Sequence, residues 1–118
     1  MSFYKNKRVL VTGGTGLIGR PLVQELLQVG AQVTVASLDD PSRAPDGAVF
    51  KRLDLREFSE CLSAVDGQDV VFQLAGVKGS PAMTAKRPAS FFEPTLQFSI
   101  NMMEAARRVG VERFLFTS

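Results

Sequence analysis

Histidine is absent from the 118 residues, and cysteine and tyrosine each occur once. Without histidine, the usual zinc-ligand sets and Ser-His-Asp triads are excluded. Cys61 has no second thiol for an internal disulfide. No apolar run approaches the roughly 20 residues of a membrane-spanning helix. The opening Met1-Ser2-Phe3-Tyr4-Lys5-Asn6-Lys7 lacks the apolar stretch of a signal peptide, so a cytosolic location without membrane contact is expected. Charge excess is small too, with 14 Lys+Arg against 12 Asp+Glu. The cations Lys5, Lys7, Arg8, Lys51, Arg52, Arg107, Arg108 and Arg113 are scattered, without the concentrated footprint that nucleic-acid binding needs.

What is present is ordinary globular composition, 45% hydrophobic and 22% charged, at a length that suits one domain. Short β-rich runs alternate with segments of helical period. Arg8–Thr12, Gln32–Ala36, Val49–Leu53, Asp69–Leu74 and Arg113–Thr117 read as strands. Between the first two, Ile18, Leu22, Leu26 and Val29 recur at helical spacing, widened by Leu17, Val23 and Leu27, with Pro21 in the first turn and Gly30 as the stop. Residues 38–47 form a loop. Phe58, Cys61, Leu62 and Val65 mark a second helix, stopped by Gly67. After a loop at 78–90, a long helix is expected with Phe92, Leu96, Ile100, Met103 and Ala106 on one face. Pro94 should bend it or mark its beginning, and Gly110 should end it. The alternation predicts an α/β fold, a doubly wound parallel sheet of about five strands. Its order is 3-2-1-4-5 or 2-1-3-4-5, and the glycine loop favours the first.

That loop is Thr12-Gly13-Gly14-Thr15-Gly16-Leu17-Ile18-Gly19, between the first strand and its helix. Gly13 suits a turn too tight for a side chain. Gly16 admits close approach of a diphosphate to the backbone, and Gly19 lets helix and strand pack closely. The helix start then offers free N–H groups and the positive end of its dipole to an anion. The spacing is G-x-x-G-x-x-G, and no Gly-Lys-Ser/Thr follows, so it is not an ATPase-type phosphate loop.

The run from Val9 to Gly19 resembles the opening of the extended short-chain dehydrogenase/reductases, the NAD-dependent epimerase/dehydratase family that acts on nucleotide sugars. Leu53-Asp54-Leu55-Arg56, Val71 to Lys78, Asn101 to Ala106 and Val111 to Ser118 resemble further segments of that family in order. The resemblance implies a Rossmann domain over 1–118 that binds NAD or NADP. It places Gly13, Gly16, Leu17, Ile18 and Gly19 around the diphosphate, and Asp54 and Leu55 at the adenine. It lines the cleft with Leu74, Ala75 and Gly76 and sets Thr117 near the nicotinamide. Lys78 either reaches a diphosphate or ribose oxygen or is a solvated loop lysine. Asp54 has a second reading as a cap of the second helix, paired with Glu57.

The sequence departs from the family pattern in places. Ser37 stands where NAD-preferring members carry an acid for the ribose hydroxyls. Asp39 substitutes for it, or Arg43 meets a 2′-phosphate, so the choice between NAD and NADP is open. Gln73 replaces a common histidine, a mild change of hydrogen bonding. Thr95 and Phe98 stand where many members have Asn and Gly. The family's Tyr-x-x-x-Lys acid/base pair does not occur, and the only tyrosine is Tyr4. The resemblance therefore implies an incomplete domain, the cofactor half of a nucleotide-sugar epimerase/dehydratase without catalysis of its own. The alternatives are a non-catalytic dinucleotide sensor or a truncated fragment without function. An apolar fifth strand, Phe114-Leu115-Phe116, at the sheet edge predicts self-association through it or the adjacent helix.

Overall fold

In a computed structural model the described residues are 3–16, 18–38, 40–74 and 88–116. They form β1 (Arg8–Thr12), α1 (Gly19–Gln28), β2 (Gln32–Ser37), a 3-10 turn (Pro41–Arg43) and β3 (Val49–Arg52). After these come α2 (Phe58–Val65), β4 (Val70–Gln73), α3 (Pro88–Val109) and β5 (Arg113–Phe116). All strand pairs are parallel, and the sheet runs β3-β2-β1-β4-β5. This is the α/β architecture and strand order that the glycine loop favoured.

Alternation along the strands explains the two layers. Val9, Val11, Val33, Val35 and Val70 face α1, where Val23 and Leu26 meet them. Leu10, Ala36 and Val71 face α2 and α3, against Cys61, Ala64, Val65, Met102, Ala105 and Ala106. A central parallel strand covered on both faces has no polar side to show, and Val9, Leu10 and Val11 are fully buried. Burying each such side chain stabilises the fold by about 1.5–3 kcal/mol.

Two helix faces differ from the sequence expectation. On α1, Gly19, Val23 and Leu26 are buried, whereas Ile18 is 68% exposed and Val29 is exposed as well. The close fit of Gly19 into the preceding turn sets the rotation of the helix, and Val23, four residues on, shares its side. On α3, Ala106 is buried as expected, but Ile100 and Met103 are exposed at 53% and 48%. The inward stripe is Asn101, Met102, Ala105 and Ala106. Met102 fills the core beside two alanines that let α3 lie close to α2 and the sheet, so side-chain size alone does not mark its buried face. Pro94 lies within α3 rather than at its start.

Candidate functional site

The C-terminal ends of the five parallel strands form one rim, where open α/β sheets hold their ligands. At its centre β1 ends in Thr12 and passes into the glycine turn. Gly13 has φ 75°, a left-handed conformation that a side chain disfavours. Its amide donates to the Ala36 carbonyl oxygen at 3.4 Å, tying the turn to the end of β2. A Cβ on Gly19 would overlap the Gly13 carbonyl oxygen and lie 2.7 Å from the Gly14 Cα. A Cβ on Gly14 would press on both Val35 methyls at 2.9 Å. A Cβ on Gly16 would meet only the Gly13 carbonyl oxygen, at 3.4 Å. Two glycines of the turn are therefore demanded by the protein's own packing, while Gly16 faces open space. Gly14 was missed from the sequence, although its place directly after the strand and Gly13 was the signal.

The start of α1 has no side-chain cap and no acid in its first turn. The Gly16 amide donates to the Gly13 carbonyl oxygen at 3.1 Å, and the Arg20 amide to the Gly16 carbonyl oxygen at 3.0 Å. The Gly16 N–H thus closes the turn. Among the described residues, the Ile18 and Gly19 amides have no intramolecular acceptor. They stand at the positive end of the helix dipole.

Beside the turn, β1 and β4 are locked together. The Thr12 hydroxyl donates to Gln73 Oε1 at 2.8 Å and accepts from the Leu74 amide at 3.1 Å. The Leu74 amide also donates to the Thr12 carbonyl oxygen at 3.1 Å. Among the described residues, Gln73 Nε2 is buried without a partner. Leu74 is half-buried at this junction.

The Asp54 carboxylate is already engaged. It accepts from the Arg56 amide at 3.0 Å and forms an ion pair with Arg56 Nη2 at 2.8 Å. The Arg56 side chain, then its backbone amide, hold the carboxyl below its usual range. Asp54 does not cap α2, whose cap position is Glu57 and lacks a side-chain bond. It closes a turn two residues ahead instead, because its short side chain reaches the Arg56 amide. Leu55 is only 5% exposed and belongs to the core, so it can offer a ligand only its backbone. Buried Asn101 on α3 fixes this segment, donating from Nδ2 to the Leu55 and Arg56 carbonyl oxygens at 3.1 and 3.2 Å. The sequence reading assigned Asn101 no role, though an asparagine amid apolar helix positions was its signal.

At the outer rim, Ser37 ends β2 and pairs in register with Arg52 of β3. Arg43 closes the 3-10 turn, which Asp40 caps by accepting from the Ser42 amide at 2.9 Å. Leu17, Asp39, Ala75, Gly76, Lys78 and Thr117 lie outside the described residues. Among the described residues no cluster of acids and thiols could hold a metal ion, and no helix is long and apolar enough to cross a membrane.

The profile of the NAD dependent epimerase/dehydratase family matches residues 9–118. A 3 beta-hydroxysteroid dehydrogenase/Delta 5-->4-isomerase of Mycobacterium tuberculosis is 36% identical, over 94% of this chain and 31% of its own length. Among solved structures, the epimerase Mth375 of Methanothermobacter thermautotrophicus is 28% identical with a TM-score of 0.84, over 98% of this chain and 36% of that one. UDP-glucose 4-epimerase of Thermus thermophilus, in complex with NAD, is 34% identical with a TM-score of 0.79, over 91% and 36%. The chain thus spans about a third of the length of these relatives.

Proposed function

The chain belongs to the NAD-dependent epimerase/dehydratase family, and on that premise we propose that it holds a nicotinamide dinucleotide along the rim of its sheet, as the cofactor part of a nucleotide-sugar epimerase or dehydratase. The observation that carries this reading is the contrast within the glycine turn. Packing accounts for Gly14 and Gly19, whereas Gly16 opens onto space that no side chain of the described protein enters. A pyrophosphate fits there, against the Ile18 and Gly19 amides.

In this reading Asp54 and the Leu55 backbone meet the adenine, and Arg56 must share Asp54 with the base. Ser37, Asp39 and Arg43 surround the adenosine ribose. Leu74, Ala75 and Gly76 line the cleft, Lys78 reaches a diphosphate or ribose oxygen, and Thr117 lies near the nicotinamide. When bound, the nicotinamide supplies hydride transfer to or from a carbinol carbon. The residues of this chain bind and orient it, and Thr12 with Gln73 holds the floor of the cleft. No Tyr-x-x-x-Lys pair occurs among the 118 residues. Proton transfer by a positioned group contributes about 10²–10⁴ in rate, so these residues alone should bind without turnover.

The 36% identity to a protein named a hydroxysteroid dehydrogenase favours a second reading of the substrate, a steroid alcohol in place of a sugar. The cofactor half serves both. Self-association belongs to the proposal as well, because β5 pairs with β4 on one side and Leu115 is 40% exposed at the sheet edge. A strictly monomeric protein in light scattering at high concentration would count against that part.

Calorimetric titration with NAD, NADP and ADP-ribose tests the cofactor reading. Saturable binding of at least one of these is expected. Heats indistinguishable from dilution for all of them would overturn it.

A further inference from the structure

The turn ahead of β1 reaches across the sheet to its outermost strand. Residues 3–7 are anchored beside β2, where the Asn6 amide donates to the Gly30 carbonyl oxygen and the Gln32 amide to the Lys7 carbonyl oxygen, both at 2.9 Å. Their other contacts lie on β4 and β5. The Tyr4 and Phe72 ring centroids are 5.9 Å apart, and the Phe3 ring stands edge-on to Tyr4 at 5.2 Å. Phe3 in turn meets two cations. The Arg113 guanidinium carbon lies 4.2 Å from its ring centroid and Lys7 Nζ 4.8 Å, both within the range of attraction by the ring face. Lys7 Nζ also donates to Glu112 Oε2 at 2.9 Å, joining residues 105 apart in sequence.

The strand so held has few other contacts. β5 is four residues long and pairs with β4 alone. The Glu112 amide donates to the Asp69 carbonyl oxygen at 2.8 Å, which places the start of the strand. Phe114 packs against the core beneath α2 and α3, while Leu115, on the other face, is 40% exposed. A short edge strand with one neighbour and one covered face belongs to the part of a fold that opens first. An exposed ion pair or a single cation–π contact is weak by itself. Here they act together, from one turn, on the two residues Glu112 and Arg113 where β5 begins.

We infer that residues 3–7 are a strap that governs the opening of the outer strand. With Phe3 and Lys7 engaged, β5 stays on the sheet. Without them it frays, while β1 to β4 persist. Because the far end of β5 borders the ligand rim, release of the strap loosens that side of the cleft and leaves the glycine turn in place. The inference requires no bound nucleotide.

The test is hydrogen–deuterium exchange of the whole chain, unaltered and as Lys7→Gln, the double variant Phe3→Ala/Lys7→Gln, and Lys5→Gln. Lys5 shares the turn but packs beside Gly30 rather than on β5, so its variant removes the same charge without touching the strand. In the double variant, amides of residues 114–116 should exchange about tenfold faster, with those of β1 and β2 unchanged within about twofold. Lys7→Gln alone should give the same pattern at about threefold, as befits a half-exposed ion pair, and Lys5→Gln should give none. Unchanged exchange in β5 overturns the inference. So does acceleration spread evenly over β1 to β5, or outright unfolding of the double variant, because the turn would then be part of the common core. An equal effect of Lys5→Gln, or β5 amides already exchanging at the unfolded rate in the unaltered protein, overturns it as well.

Discussion

Gly19 stands against Gly13 so closely that a Cβ on the first would overlap the carbonyl oxygen of the second. This contact starts α1 at its observed angle and turns Val23 and Leu26 inward. Gly19→Ala should therefore destabilise the fold by at least about 1–3 kcal/mol, the usual cost of forcing an extra carbon into a packed site. Gly16→Ala, whose Cβ meets only one oxygen at 3.4 Å, should change stability by less than about 0.5 kcal/mol. Urea unfolding of the two variants checks the contrast, and equal losses would contradict it.

Asn101 reaches from α3 to the Leu55 and Arg56 carbonyl oxygens, so stability and adenine affinity should be coupled through it. Asn101→Ala removes both bonds, leaving the Leu55 carbonyl oxygen only the weak Cys61 thiol donor at 3.3 Å, and should cost about 1–3 kcal/mol. It should also weaken binding of AMP several-fold, because the Asp54–Leu55 segment loses its anchor. A variant with lower stability and unchanged AMP affinity would detach that segment from the adenine site.

The Thr12 hydroxyl serves Gln73 Oε1 and the Leu74 amide together. Thr12→Val conserves shape but orphans Gln73 Oε1 in a side chain whose Nε2 has no partner among the described residues. The expected loss is about 1–3 kcal/mol, and Thr12→Ser should recover most of it. Chemical denaturation of both variants is the check, and equal stability of Thr12→Val and the unaltered protein would refute the role given to the hydroxyl.

Burial, then the charges of Glu60 and Asp54, push the Cys61 thiol up to about 11 from 9.0. At pH 8 the folded protein should resist alkylation, while the urea-unfolded chain reacts readily. The folded value lies above the unfolded one, so the thiol's contribution to stability is full below about pH 9. It is lost as the pH rises from 9.0 towards about 11. Prompt native labelling at pH 8 would show that the site opens to solvent.

The strand order and the glycine turn were legible because each rests on a local pattern: β-rich runs, helical period and three spaced glycines. The facing of the helices was not. Ile100 and Met103 are exposed while Met102, Ala105 and Ala106 lie inward, because the rotation of the helix is set by its tertiary contacts with α2 and the sheet and not by the size of its apolar residues. The division of labour in the turn was half legible. Gly13, Gly16 and Gly19 were singled out, but the contact of Gly14 with Val35 is a tertiary fact, and the inward bond of the Gly16 amide depends on how the turn folds back. Asp54 was identified as a site residue, while its bond to Arg56 required the conformation of the intervening turn.

Calorimetry of ADP-ribose binding to the unaltered protein and to Gly16→Leu, with thermal unfolding of both, tests the pyrophosphate site most directly. Saturable binding to the unaltered protein, at least a hundredfold weaker in a variant that melts within a few degrees of it, is the result expected. Equal affinity in a folded Gly16→Leu protein would show that the ligand does not lie on the glycine turn.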